Sequence, residues 1–200
     1  MLTIFHAPGT RSSRVVWLAE EMGVAYDARP ETLGKPSADF LTANPVGAFP
    51  AITDDGVAMG ESVAIMQYML ERYGPSPLAR RYGDPDYADY LEFLVFGEGS
   101  MAAFLNPMIL TRFMAPDDQK ENFTMGAVRR LFSGRVEALG KQLAQGDHVA
   151  GDFSAADISV GYALTLGENL GLGDFPPAVA AYHARLKNRP AYQKAFARPA

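Results

Sequence analysis

Every strand signal in this 200-residue chain falls before residue 60, and every pattern after residue 85 is helical. The early part holds the apolar run Leu2 to Phe5, the alternating run Val24 to Pro30, and the pair Phe49 to Thr53 and Val57 to Met59. The last two flank Asp54-Asp55-Gly56, and Asp-Gly between apolar runs is a strong hairpin signal. Helical stripes alternate with these runs. Val15, Leu18, Ala19 and Met22 form the first, stopped by Gly23. A short helix is expected near Ala38 to Ala43, and Ile65, Met66, Met69, Leu70 and Tyr73 form another stripe, ended by Gly74-Pro75;. The order strand, helix, strand, helix, strand, strand, helix predicts an α/β domain over residues 1–74.

The stretch "GPSPLARRYGDP", residues 74 to 85, has three prolines, two glycines and no periodicity, so 75–84 reads as a linker. An all-helical domain over 85–200 follows. Asp84 is placed to cap its first helix with Pro85 at the first helical position. Tyr87, Tyr90, Leu91 and Leu94 are expected inside, with an end or kink near Pro107. Pro116, Asp117 and Asp118 read as the start of the next helix, which turns Val128, Leu131, Phe132 and Leu139 to one side. "FSAADIS" reads as a capping box, Ser154 with Asp157, stapled by Phe153 and Ile158. A final helix follows Pro176-Pro177.

Composition removes several chemistries. The formal net charge is -5 and no basic run interrupts the chain, so a nucleic-acid partner has no electrostatic footprint. No apolar run of about 18 residues and no leader pattern is seen, which predicts no membrane span and a cytoplasmic setting. The chain has no cysteine, so a protein thiol serves neither as nucleophile nor as metal ligand. His6, His148 and His183 lack ligand spacing, so no metal site is expected.

Three short motifs carry chemistry. "HAPGTRSSRV" runs from the first strand through a Pro8-Gly9 turn into a helix that starts among Thr10, Ser12 and Ser13. Those hydroxyls read as helix caps, or as part of an anion site in which free first-turn N–H groups add to the helix dipole. In "NPVGAFPAI", Asn44 to Ile52, Pro50 meets the start of a strand, where a missing donor calls for an edge or a cis turn. "GES", Gly60 to Ser62, places a carboxylate and a hydroxyl at a helix start.

In this order and spacing, together with the linker and the capping box, these motifs resemble the soluble glutathione transferases, of bacterial type, over nearly the whole chain. The resemblance implies a thioredoxin-like domain followed by a helical one, a homodimer through the first long helices of the latter, glutathione as co-substrate, and no metal. Carried over residue by residue, it implies that Phe49 and Pro50 meet the cysteinyl part of glutathione. Glu61 and Ser62 hold the γ-glutamyl end. Ala48 stands where many members carry lysine at the glycyl end. Ser154 and Asp157 take a folding role.

Tyrosine-type members place their tyrosine near the end of the first strand, but no tyrosine occurs here before Tyr26, and cysteine types are excluded. A serine or threonine type remains, with Thr10 first, Ser12 second and Arg11 in support as activators of the thiol. A free thiol has a pKa of about 8.5, and each unit of depression raises the thiolate nearly tenfold at neutral pH. The expected reaction is transfer of glutathione to a small apolar electrophile, lined by Met101, Phe104 and Met108. A glutathione-dependent isomerase, peroxidase or ether-cleaving enzyme, or a non-catalytic interaction protein on the same fold, shares these motifs.

Overall fold

A computed structural model of the chain describes residues 1–197. Contacts divide it into two compact units, Met1–Ala79 together with the chain from Lys187 onward, and Arg80–Leu186.

The first unit opens with β1 (Leu2–His6), α1 (Ser12–Met22), β2 (Tyr26–Pro30), α2 (Ala38–Ala43), β3 (Ala51–Asp54), β4 (Val57–Met59) and α3 (Ser62–Arg72). The sheet order is β2-β1-β3-β4. β1 runs parallel to β2 and antiparallel to β3, and β3 is antiparallel to β4. A parallel pair needs a crossover, and α1 supplies it. The central strands carry the buried residues Leu2, Ile4, Phe5, Ala51 and Ile52, whereas the edge strands β2 and β4 are largely exposed. Asp55 and Gly56 both take positive φ, 45° and 88°, the conformation that a two-residue type I′ hairpin requires. Gly23 closes α1 in the left-handed region at φ 66° and returns its N–H to Glu20 and Ala19. This is the thioredoxin-like arrangement that the resemblance implies.

The second unit holds α4 (Tyr87–Phe96), α5 (Asn106–Met114), α6 (Phe123–Gln142), α7 (Ala155–Asn169) and nearly all of α8 (Pro177–Lys187). Its axis is α7, buried without a break from Ala155 to Gly167. Between α4 and α5 the chain stays helical but loosens into a π turn, Gly97–Ala102, and then a 3₁₀ turn, Ala103–Leu105. Pro107 then sits in the first turn of α5. The kink expected near that proline thus takes the form of altered hydrogen bonding upstream of it. Gly97 is where the π turn meets α7: a Cβ there lies 2.5 Å from the Ser159 backbone.

Several expectations for this unit need correction. α4 starts two residues late, capped at Asp86 without a side-chain bond, because Asp84 accepts the Arg81 N–H at 2.7 Å and is closed into a turn. Its inner face is Tyr90, Phe93 and Leu94, while Leu91 is exposed. Pro116 leads only into a 3₁₀ turn. Asn122 caps α6, accepting from the Met125 N–H at 3.0 Å. Val136 joins Val128, Phe132 and Leu139 inside, and Leu131 faces out. Within the continuous stretch Tyr87–Met114 a run of 18 residues reaches a mean hydropathy of 1.4, so the stretch is long and apolar enough to cross a membrane, by composition alone. Its Tyr90, Phe93, Leu94, Met101, Leu105 and Met108 lie in the core.

Two helices, not one, follow Pro176: α8 and then α9 (Pro190–Phe196). α9 packs on α1 in the first unit. Trp17 meets Tyr192 edge-on at 5.0 Å, Arg189 donates to both Glu21 oxygens at 2.6 and 2.8 Å, and Lys194 pairs with Glu20 at 2.7 Å.

Candidate functional site

β1 delivers the chain from the middle of the sheet into the loop Ala7–Arg11, which turns at Gly9 with φ 82°. α1 then begins with Arg11 as its N-cap and no side-chain cap, so neither serine plays the expected capping part. The hydroxyls turn back into the loop. Ser12 Oγ accepts the Ala7 N–H at 3.1 Å and lies 2.8 Å from both His6 Nδ1 and Thr10 Oγ1. Ser13 Oγ accepts the Gly9 N–H at 3.2 Å, and Thr10 Oγ1 donates to the Ala7 carbonyl at 2.7 Å.

The first-turn amides, expected to be free, are taken. Ser12 N–H reaches Thr10 Oγ1 at 3.3 Å, Ser13 N–H reaches the Thr10 carbonyl at 3.0 Å, and Arg14 N–H reaches the Arg11 carbonyl at 3.3 Å. Ser12 and Ser13 are 0% exposed. Thr10 and Arg11 keep solvent contact, and burial pushes the His6 imidazole below its usual pKa.

The second part of the site is the start of α3. Glu61 caps it with φ 63° and ψ 101°, a left-handed conformation that costs a non-glycine residue about 1–3 kcal/mol and persists only where the surroundings hold it. No side chain caps the helix, and first-turn amides have no partner within their own helix. The helix dipole there favours an anion. Ser62 is buried beneath, and its Oγ accepts from Arg14 Nη1 at 3.3 Å. Arg14 is itself 0% exposed. One exposed carboxylate, Glu61, thus stands beside a positive helix end, a pairing of charges that suits a zwitterion.

Asn44 ties the "NPVGAFPAI" loop to this point. Its Nδ2 donates to the Ala48 carbonyl at 2.7 Å and toward the Pro50 carbonyl at 3.4 Å, and its Oδ1 accepts the Val46 N–H at 3.2 Å. Gly60 lies against the same amide, since a Cβ at that position meets Nδ2 at 2.8 Å. The Phe49–Pro50 peptide is cis, and Phe49 stacks on Phe40 with ring centroids 4.5 Å apart. Ala48 is exposed. The structure therefore brings Ala48, Phe49, Pro50, Glu61 and Ser62 to one place through Asn44 and Gly60. Arg14 links that place to the helix that starts beside Thr10.

The remaining residues named from sequence lie in the second unit. Met101 and Met108 are buried, whereas Phe104 keeps part of its surface, with the Arg135 guanidinium 4.0 Å over its ring. Ser154 and Asp157 form a capping box with both arms present. Among the described residues no three metal-binding side chains gather. Sequence reasoning missed His6, Arg14 and Asn44. The one available signal was an arginine one position before an apolar stripe that begins at Val15.

Residues 4–77 match the family described as "Glutathione S-transferase, N-terminal domain". A glutathione S-transferase from a sphingomonad, solved in complex with glutathione, is 31% identical over 97% of this chain and 96% of that one, with a TM-score of 0.82. Glutathione S-transferase 1 of Zea mays is 27% identical over 92% of this chain and 90% of its own length. Glutathione S-transferase 3 of Schizosaccharomyces pombe is 30% identical over 107 residues, which span 44% of that protein.

Proposed function

Because this chain belongs to the glutathione S-transferase family, we propose that it binds glutathione on its first unit and transfers it, as a thiolate, to a small apolar electrophile. The γ-glutamyl ammonium meets Glu61, and the γ-glutamyl carboxylate meets the Ser62 hydroxyl and the uncapped start of α3. The cysteinyl part lies along the Phe49 backbone beside Pro50. Ala48 has no side chain to pair with the glycyl carboxylate, so that end is held by something other than a cation at this position. On the helical unit, the part-exposed ring of Phe104 is the apolar surface offered to an acceptor. The setting is the cytoplasm, where glutathione is kept reduced.

The observation that carries the activation step is exposure: of the three hydroxyls at the start of α1, Thr10 keeps solvent contact, while Ser12 and Ser13 are fully buried. A hydroxyl that donates to a thiolate favours the ionised form, and one charge-assisted bond is worth about 1.5–3 kcal/mol, or one pKa unit or more. Replacing Thr10 with Ala should therefore raise the pKa of bound glutathione by about one unit or more and lower turnover at pH 7 roughly tenfold or beyond. Thiolate absorbance against pH is the measurement, and an unchanged titration removes Thr10 from the mechanism.

We also infer a homodimer through α4, where Leu91 and Val95 stand 41% and 53% exposed. A stable interface of this kind buries about 1,200 Å² or more. Sedimentation at micromolar concentration should give twice the 21.7 kDa of one chain. A 21.7 kDa species removes the dimer.

A further inference from the structure

The hydroxyl cluster under the opening loop admits one assignment of its protons. Thr10 Oγ1 and the Ala7 carbonyl oxygen are 2.7 Å apart, and two oxygens at that distance share a proton. The carbonyl has none, so the proton is Thr10's. Thr10 Oγ1 is then an acceptor in its 2.8 Å contact with Ser12 Oγ, and that proton is Ser12's. Ser12 has a single proton and two acceptor sites. One site takes the Ala7 N–H, so in the 2.8 Å contact with His6 Nδ1 the histidine donates. Any other arrangement leaves lone pairs facing each other across 2.8 Å or less. The 3.2 Å contact of Ser12 Oγ with the Ala7 carbonyl is the longest that this oxygen makes and takes no proton of its own.

We propose that His6 is a positioning residue for the reacting thiolate: its Nδ1–H orients Ser12, Ser12 orients Thr10, and the part-exposed Thr10 hydroxyl is the outer end of a donor chain three groups long. This rests on the reading that Thr10 donates to the sulfur. When the Thr10 proton turns from the Ala7 carbonyl to a thiolate, Ser12 continues to donate into Thr10 Oγ1, and each donor in such a chain strengthens the next. The Ala7 carbonyl is not orphaned, because it keeps the Thr10 N–H at 3.1 Å. No proton passes along the chain; the thiol proton leaves to water and the chain stabilises the anion that remains. Partial burial of His6 keeps the ring neutral near pH 7, so its one ring proton must sit on Nδ1, and Nε2 is left as an acceptor. His6 is held at the end of β1, where its own carbonyl accepts the Glu31 N–H at 2.9 Å.

Two measurements test this. In ¹⁵N spectra of the wild-type chain at pH 7.5, a condition chosen about one unit above the usual imidazole pKa, His6 should show a protonated Nδ1 and a bare Nε2. The reverse tautomer overturns the proposal. The second is the titration of bound glutathione in His6→Leu, His6→Asn and Thr10→Ala. His6→Leu should raise the thiol pKa by about half a unit, a threefold loss of thiolate at neutral pH. His6→Asn restores an N–H in place of Nδ1 and should titrate with the wild type. Adding His6→Leu to Thr10→Ala should change nothing further. If Thr10→Ala shifts the thiol and His6→Leu does not, the relay is wrong and the Thr10 reading stands; if Thr10→Ala itself leaves the thiol unmoved, both fall. Should His6→Leu fail to fold, the tautomer of the wild type and the titration of His6→Asn still decide, the latter by moving away from wild type.

Discussion

Ser62 has two tasks that pull its hydroxyl in different directions. Its oxygen accepts from Arg14 at 3.3 Å, which leaves its proton to be given outward, to the carboxylate proposed for the γ-glutamyl end. Ser62→Ala removes that donor, and a hydrogen bond to a charged group is worth about 1.5–3 kcal/mol. Glutathione affinity should drop by roughly ten- to a hundredfold, with secondary structure unchanged. Titration calorimetry giving wild-type affinity counts against the assignment. Glu61, Ser62 and Thr10 were legible as candidates because each sits at a helix start marked by glycine or proline, and such punctuation is local. Arg14 and His6 were not. The partner of Arg14 is 48 positions away in sequence, and an arginine in a first helical turn reads as solvated unless that partner is known. His6 ends a strand with no ligand-spaced neighbour, and its contact to Ser12 exists only because the loop folds back.

At the level of elements, the start of α7 hangs on one side chain. Asp157 is 0% exposed and accepts from the Ser154 N–H at 2.8 Å, the Val149 N–H at 3.1 Å and the Tyr182 hydroxyl at 2.9 Å. Asp157→Ala leaves these three donors, and the Ser154 hydroxyl at 3.3 Å, without their acceptor, and a buried unsatisfied donor costs about 1–3 kcal/mol. The loss of stability should exceed that of an ordinary cap, about 1 kcal/mol, and reach about 3 kcal/mol or more. Asp157→Asn keeps an oxygen and should lose less. Urea denaturation checks both, and a loss near 1 kcal/mol reduces the residue to a simple cap. The box was visible in sequence because its two members are three apart. The starts of α4 and α6 were misplaced because Asp84-Pro85 and Pro116-Asp117 are good helix openers that tight turns claim first. Asp84 is already bound by the Arg81 N–H, and the chain from Pro116 closes on itself through the Gln119 N–H at 2.9 Å.

Over the whole molecule, four tyrosines share one electrostatic condition. Tyr26, Tyr68, Tyr73 and Tyr182 are pushed above the usual phenol range, by burial first and a carboxylate neighbour second. Glu20 accepts from Tyr26, Asp54 from both Tyr68 and Tyr73, and Asp157 from Tyr182. In the unfolded chain these phenols ionise near pH 10, while the folded chain keeps their protons. The native state then binds more protons than the unfolded state above about pH 10, so stability falls as pH rises beyond that point and is fully present below it. The phenols should leave the urea midpoint untouched from about pH 7 to pH 9 and lower it steeply above about pH 10; a midpoint that does not fall between about pH 10 and pH 11 contradicts the assignment. At this scale the sequence was most legible, because the split between strand-bearing and helical halves is written in composition and period. The partner of α1 was not, since nothing local marks α9 as belonging to the first unit.

That partnership bears on the order in which the molecule is made. The chain completes the sheet and its three helices, then leaves to build more than a hundred residues of the second unit, Arg80–Leu186, before α9 emerges to cover Trp17. During synthesis the first unit therefore waits, with its tryptophan face bare, until α9 has left the ribosome. Trp17 is the one tryptophan in the chain, so its fluorescence is a natural clock for that closing event, and any nascent chain shorter than about residue 196 is one whose first half has not been sealed.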